Sequence, residues 1–170
     1  MSKNIVLIGF MGVGKSLVSN ELAIKLKRKV VSTDVLVEQK AGKSIGDIFR
    51  DAGEEAFRRL ERSVVGDLEK EKNLIIDCGG GIVLNQDNID LLKKNSIMFY
   101  LSASPEVIQK RVEKQPRNRP LLNVADPRQK ILQLLNQRKP KCEQADFIID
   151  TSRHSVDDTV EEILRLLPNE

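Results

Sequence analysis

Residues 9–16 read Gly9-Phe10-Met11-Gly12-Val13-Gly14-Lys15-Ser16. The spacing is G-x-x-x-x-G-K-S. It stands between an apolar run, Ile5-Val6-Leu7-Ile8, and a segment of helical character from about Gly14 to Arg28. Strand, glycine-rich loop and helix in that order form an anion cradle. The glycines let successive backbone N–H groups turn toward phosphate oxygens, and the helix N-terminus adds its dipole. Lys15 is placed to neutralise the β- and γ-phosphates of a nucleotide, and Ser16 to offer its hydroxyl to Mg²⁺. Gly12, Val13, Gly14, Lys15, Ser16 and Leu17 are therefore expected at ATP. A glycine turn that binds nothing is the competing reading, and the flanking strand and helix speak against it.

Outward from this loop, short β-branched runs alternate with longer amphipathic segments. Strands are expected at Asn4–Gly9, Lys29–Thr33, Asn73–Asp77, Ser96–Leu101 and Asp146–Asp150. Helices are expected over 14–28, 34–42, 44–52, 54–71, 86–94, 104–114, 126–143 and 155–167. The stretch 115–125 has two prolines and no clean period, and reads as a loop. Five buried-type strands separated by helices predict an α/β fold, a three-layer, five-stranded parallel sheet with helices on both faces. No linker or repeat divides residues 1–170, so one domain is expected. Ligands of such sheets lie beyond the carboxyl ends of the strands, and the residues just after each strand become the candidates.

The chain has 170 residues, 40% hydrophobic and 31% charged, the balance of an ordinary globular domain. Its net charge of +3 does not by itself argue for a nucleic-acid partner. The distribution is uneven, because residues 110–141 carry ten Lys or Arg against Glu113 and Asp126. That segment either meets an anion or forms a solvated basic face. It contains no aromatic residue, so base stacking, and with it nucleic-acid binding, is not expected. Cys78 and Cys142 show neither disulfide nor zinc spacing, which suits reduced thiols in a cytoplasmic protein. The N-terminal apolar run is too short for a signal peptide, and no stretch approaches the roughly 18 apolar residues of a membrane span.

Asp34 follows the second strand, where it would accept the proton of a substrate hydroxyl or serve as a helix N-cap. Arg58 and Glu61 are three apart and share a helix face. Arg58 would fork onto a carboxylate ligand, or simply pair with its neighbour. Gly79-Gly80-Gly81 follows the third strand, either for close approach of a ligand or as a plain turn. Arg117 and Arg119 fall in a segment, about 112–125, that reads as a lid able to close over phosphates. Arg111 would stack on a base or be solvated, and Arg138 is a second carboxylate partner. His154, the single histidine, is given no role.

Taken together, these residues resemble the shikimate kinase family over essentially the whole chain. The matching pieces are G-F-M-G-V-G-K-S at 9–16, T-D at 33–34, S-I-G-D-I-F at 44–49 and G-E-x-x-F-R-x-x-E at 53–61. They continue with G-G-G at 79–81, R-P-L-L at 119–122, R-x-P at 138–140 and D-F-I-I-D-T at 146–151. The resemblance implies transfer of a phosphoryl group from ATP to the 3-hydroxyl of shikimate, with Mg²⁺. It makes Asp34 the base and a ligand of the shikimate hydroxyls, and residues 34–62 the substrate-binding region. Arg58, Arg138 and the backbone of Gly80 would hold the substrate. Arg119 would be the lid arginine on the ATP phosphates, with Arg111 and Arg153 near adenine. A kinase of another small hydroxy acid such as gluconate, or an ATP-binding module without catalysis, are the alternatives. A monomer with small-molecule partners only is expected.

Three departures from the family stand out. Ser32 occupies the place of a second Asp, Asp77 replaces a small residue before the triple glycine, and Cys142 replaces a frequent Tyr. The first two suggest a metal site of Ser16 and Asp77, its carboxylate moved from position 32 to position 77. Alternatively, Asp77 caps the glycine turn and Asp34 alone serves the metal.

Overall fold

The computed structural model describes residues 3–114 and 124–168. β1 (Asn4–Gly9) is buried at every residue, and its side chains divide between two faces with a period of two. Val6 and Ile8 pack into one core, Ile5 and Leu7 into the other. β3 (Leu74–Asp77) repeats the division with Ile76 and Ile75, and β4 (Ser96–Ser102) with Met98 and Tyr100 against Phe99 and Leu101. A continuous apolar run such as IVLI encodes a strand covered on both sides.

With β2 (Lys29–Ser32) and β5 (Phe147–Asp150) the order is β2-β3-β1-β4-β5, and every pair is parallel. The expected five-stranded α/β sheet is present. Helices α2 (Thr33–Ala41), α3 (Ile45–Leu68) and α4 (Gln86–Lys94) cover the first core. Helices α1 (Lys15–Leu26), α5 (Pro105–Glu113) and α7 (Val156–Leu166) cover the second. α6 (Pro127–Cys142) serves both, giving Ile131 and Leu134 to the second core and Cys142 to the first. The strand order turns around at β1, with β3 on one side and β4 on the other, so the crevice for a ligand opens at the end of β1.

Three features depart from expectation. β2 stops at Ser32, whose Oγ accepts from the amide of Val35 and caps α2. Asp34 is therefore the second residue of the helix, and its reading as the N-cap is corrected. A 3₁₀ turn at Ile82–Leu84, absent from the sequence reading, follows the triple glycine. The two helices expected on either side of residue 53 are real, but they run on as α3 across a break at Gly53 (φ 78°, ψ 177°). That conformation is essentially reserved for glycine, although a Cβ there would meet nothing within 4 Å. Gly53→Ala should therefore lose about 1–3 kcal/mol of stability through backbone strain alone. Urea unfolding checks this, with a lower midpoint at an unchanged slope expected.

Candidate active site

The loop after β1 bends through Gly12 (φ 83°) and Gly14 (φ 100°), left-handed conformations that only glycine takes without strain. Gly14 is the N-cap of α1 and supplies no side-chain cap, so the first-turn N–H groups are left for an anion. Lys15 lies half-buried in this loop, its Nζ donating to the carbonyls of Gly9 (2.9 Å) and Phe10 (3.2 Å). Burial lowers its pKa, and the nearby carboxylates, Asp77 first, partly offset this. Ser16 Oγ donates to Asp77 Oδ2 at 2.6 Å, joining the start of α1 to the end of β3.

Beside the loop opens a cleft of about 290 Å³, lined among others by Gly12, Gly14, Leu17, Arg111, Thr151 and His154. Arg111 forms one wall. Its guanidinium donates to the Val13 carbonyl (3.3 Å), Thr151 Oγ1 (3.1 Å) and the Thr151 carbonyl (2.7 Å), tying the phosphate loop to the segment after β5. A planar cation held in place at the mouth of a partly apolar cleft suits the face of a purine base.

The other side of the loop is organised by Gly79-Gly80-Gly81. Each glycine backs onto a different candidate residue. A Cβ at position 79 would collide with the Asp34 carboxylate, and one at 81 would sit 2.8 Å from both terminal nitrogens of Arg58. Gly80 receives Arg138, whose Nη1 donates to its carbonyl at 2.9 Å. The amide of Gly79 donates to the buried Thr33 Oγ1 at 2.8 Å, which pins the residue next to Asp34. Three residues from α2, α3 and α6 thus converge on one short stretch of backbone with no side chains in the way.

The charges gathered there are held against the preference of their surroundings. Burial raises the pKa of Asp34, with the Lys15 ammonium opposing. Burial raises that of Glu61, although Arg58 Nη1 pairs with its Oε2 at 2.9 Å. Arg138 is 5% exposed, and desolvation followed by repulsion from Arg58 lowers its pKa. Its guanidinium lies 5.4 Å from the Phe10 ring centroid, and its buried Nε has no hydrogen-bond partner among the described residues. Two neighbouring guanidiniums and an unsatisfied donor call for an anion, and a carboxylate meets that need in bidentate fashion.

The family model for shikimate kinase matches residues 11–168. The chain belongs to the shikimate kinase family. A shikimate kinase from Caldanaerobacter subterraneus subsp. tengcongensis is 45% identical over 96% of this chain and 95% of its own length. Another, from Pelotomaculum thermopropionicum, is 45% identical over 97% of this chain and 95% of its own length. Among solved structures, shikimate kinase from Acinetobacter baumannii in complex with shikimate superposes with a TM-score of 0.91. It is 36% identical and matches 98% of this chain and 93% of its own. Membership makes the chain a P-loop kinase, an enzyme that uses ATP and a divalent metal.

Within this kinase frame, the geometry gathers Asp34, Arg58, Gly80 and Arg138 in one place, and Lys15, Ser16 and Asp77 in an adjoining one. Arg58 does pair with Glu61 as its spacing allows, yet Glu61 is buried rather than exposed, so the pair holds the guanidinium instead of solvating it. Arg111 reaches the cleft. His154 is among the residues that line it and Arg153 is not, although both are exposed and adjacent in the chain. The turn is set when Asp150 Oδ1 accepts from the amide and hydroxyl of Ser152, and no signal in the local sequence says which of the next two side chains then meets the cleft. Arg117, Arg119 and most of the expected lid lie outside the described residues.

A buried Asp34 with a raised pKa costs stability once ionised. Its native form binds a proton more readily than its unfolded form, so stability falls as pH rises from the ordinary carboxylate value through the raised one. Asp34→Asn should therefore melt higher than the unaltered protein at pH 7. The gap should close as the pH is lowered toward 4, as followed by thermal unfolding over a pH series.

Proposed function

We propose that this protein transfers the γ-phosphoryl group of ATP to the 3-hydroxyl of shikimate, giving shikimate 3-phosphate and ADP. One observation carries the reading. Asp34, Arg138 and Arg58 lie against Gly79, Gly80 and Gly81 in that order, beside the phosphate loop. A carboxylate with a raised pKa next to two guanidiniums fits an anionic polyol: the arginines take its carboxylate and Asp34 its reacting hydroxyl. A pure nucleotide switch has no need of such a pocket. A kinase for gluconate is the rival within the same chemistry.

Asp34 accepts the hydroxyl proton as that oxygen bonds to the γ-phosphorus and the bond to the β-phosphate oxygen breaks. Its raised pKa makes it a stronger base than a solvent-exposed carboxylate. Lys15 and the N-terminal amides of α1 hold the phosphates, and Arg119 adds charge from the lid. Arg111 and Arg153 bound the adenine, with His154 beside Arg153 on the cleft wall, and the phosphate loop through Leu17 shapes the cleft. Ser16 and Asp77 present a hydroxyl and a carboxylate, the hard oxygen donors that Mg²⁺ selects. These two residues would hold Mg²⁺, which when bound would supply positive charge to the transferring phosphoryl group. The protein acts as a cytoplasmic monomer on a small molecule, with no call on nucleic acid or membrane. Among the described residues no helix is long and apolar enough to cross a membrane.

ADP release coupled to a dehydrogenase assay, run with shikimate, gluconate and no acceptor, tests the activity. Stimulation by shikimate alone is expected, and background hydrolysis unchanged by shikimate would refute it. Arg58→Ala and Arg138→Ala should each raise the shikimate KM by an amount equal to about 2–5 kcal/mol, the loss for one partner of a desolvated charge pair. The KM for ATP should hardly move. Either variant with an unaltered shikimate KM removes that residue from the pocket.

A further inference from the structure

This inference rests on the kinase reading above and concerns which carboxylate serves the metal. At the last rung of the β2–β3 ladder Ser32 pairs with Asp77, so the two Cα positions are neighbours at the carboxyl edge of the sheet. β1 places Leu7 opposite the same Asp77, which sets it next to the root of the phosphate loop. Asp77 is 8% exposed, and its Oδ2 receives the Ser16 hydroxyl at 2.6 Å. The Ser32 hydroxyl is turned to another use, accepting from Val35 N as the cap of α2. Asp34 is committed too, its carboxylate lying against Gly79 on the substrate side.

No group of three or more His, Cys, Asp or Glu among the described residues could cage an ion. A cation at Ser16 must therefore draw most of its shell from phosphate oxygens and water, the arrangement Mg²⁺ favours. One nearby carboxylate then decides how well the shell is oriented and its charge balanced.

We propose that Asp77 is that carboxylate, and that positions 32 and 77 are interchangeable across the ladder, so an Asp on either rung serves the metal. Ser32, relieved of the duty, keeps only its capping role.

Mn²⁺ in place of Mg²⁺ gives a readout independent of turnover, because the free ion's magnetic resonance signal disappears on binding. In the ADP complex, Asp77→Asn should raise the Mn²⁺ Kd about 10–100-fold, the loss seen when a group orienting a metal shell is removed. Its ADP Kd in EDTA should stay as in the unaltered chain, which also reports that the variant is folded. Asp77→Ser gives the same comparison should the amide variant fail to fold. Ser32→Ala should leave the Mn²⁺ Kd unchanged, and Ser32→Asp added to Asp77→Ser should restore most of the affinity. An unchanged Mn²⁺ Kd in the Asp77 variants overturns the proposal, and a double variant that recovers nothing overturns the interchange. Failure of the unaltered chain to bind ADP would instead count against the kinase reading.

Discussion

The amide of Cys78 donates to the carbonyl of Leu7 at 3.1 Å, one step beyond the last rung where Leu7 faces Asp77. This hydrogen bond closes the β1–β3 pairing, where the triple-glycine segment parts from β1 while β1 runs on beside β4 to Gly9. It fixes the start of the triple glycine against the root of the phosphate loop, close enough that a Cβ at Gly80 would lie 3.6 Å from the Gly9 carbonyl. Parallel neighbours both end at the carboxyl edge, so the two loops leave from the same side and meet. The Ser16–Asp77 contact and the seats of Asp34, Arg58 and Arg138 all follow from that meeting. A one-residue slip between β1 and β3 would exchange the two core faces and separate every pair at once.

The site collects charge that its own interior resists. Burial pushes Asp34 and Glu61 toward the protonated form, and Lys15 and Arg138 toward the neutral one. Such groups remain because their counter-charges belong to the ligands as much as to the protein. A polyphosphate meets the lysine, and a carboxylate meets the arginine pair. Binding then stabilises the fold as well as the complex, since only the native state offers the charges in this arrangement.

Much of this was legible in the chain, where the signal was local. The strands announced themselves as short β-branched runs, and G-x-x-x-x-G-K-S placed the nucleotide before any fold was drawn. Arg58 and Glu61 share a face because three residues nearly complete a helical turn. What stayed hidden depends on choices between adjacent, chemically similar residues. Ser32 and Asp34 are both good caps, and only the end of β2 decides between them. Arg153 and His154 stand side by side and both are exposed, and only the turn after Asp150 sets how each is presented beside the cleft. Nor does the sequence say that each glycine of 79–81 answers to a different helix, since those partners are 20 or more residues away in the chain.

The sheet keeps two sets of helices apart. Those bearing Asp34 and Arg58 pack only into one core, and those bearing Lys15 and Arg111 only into the other. Among the described residues the apolar side chains of these two sets of helices fall in separate clusters, so core substitutions in one leave the packing of the other alone, while Lys15 and Asp34 still feel each other's charge where the layers meet. The acceptor half of such a protein is thus free to drift in sequence, or to be remodelled for a different alcohol, while the nucleotide half stays as it is. α6 is the exception among the described helices. It reaches into both layers with Arg138 between its two anchoring stretches, so a change of acceptor that needs a new side chain at 138 must be reconciled with both cores together.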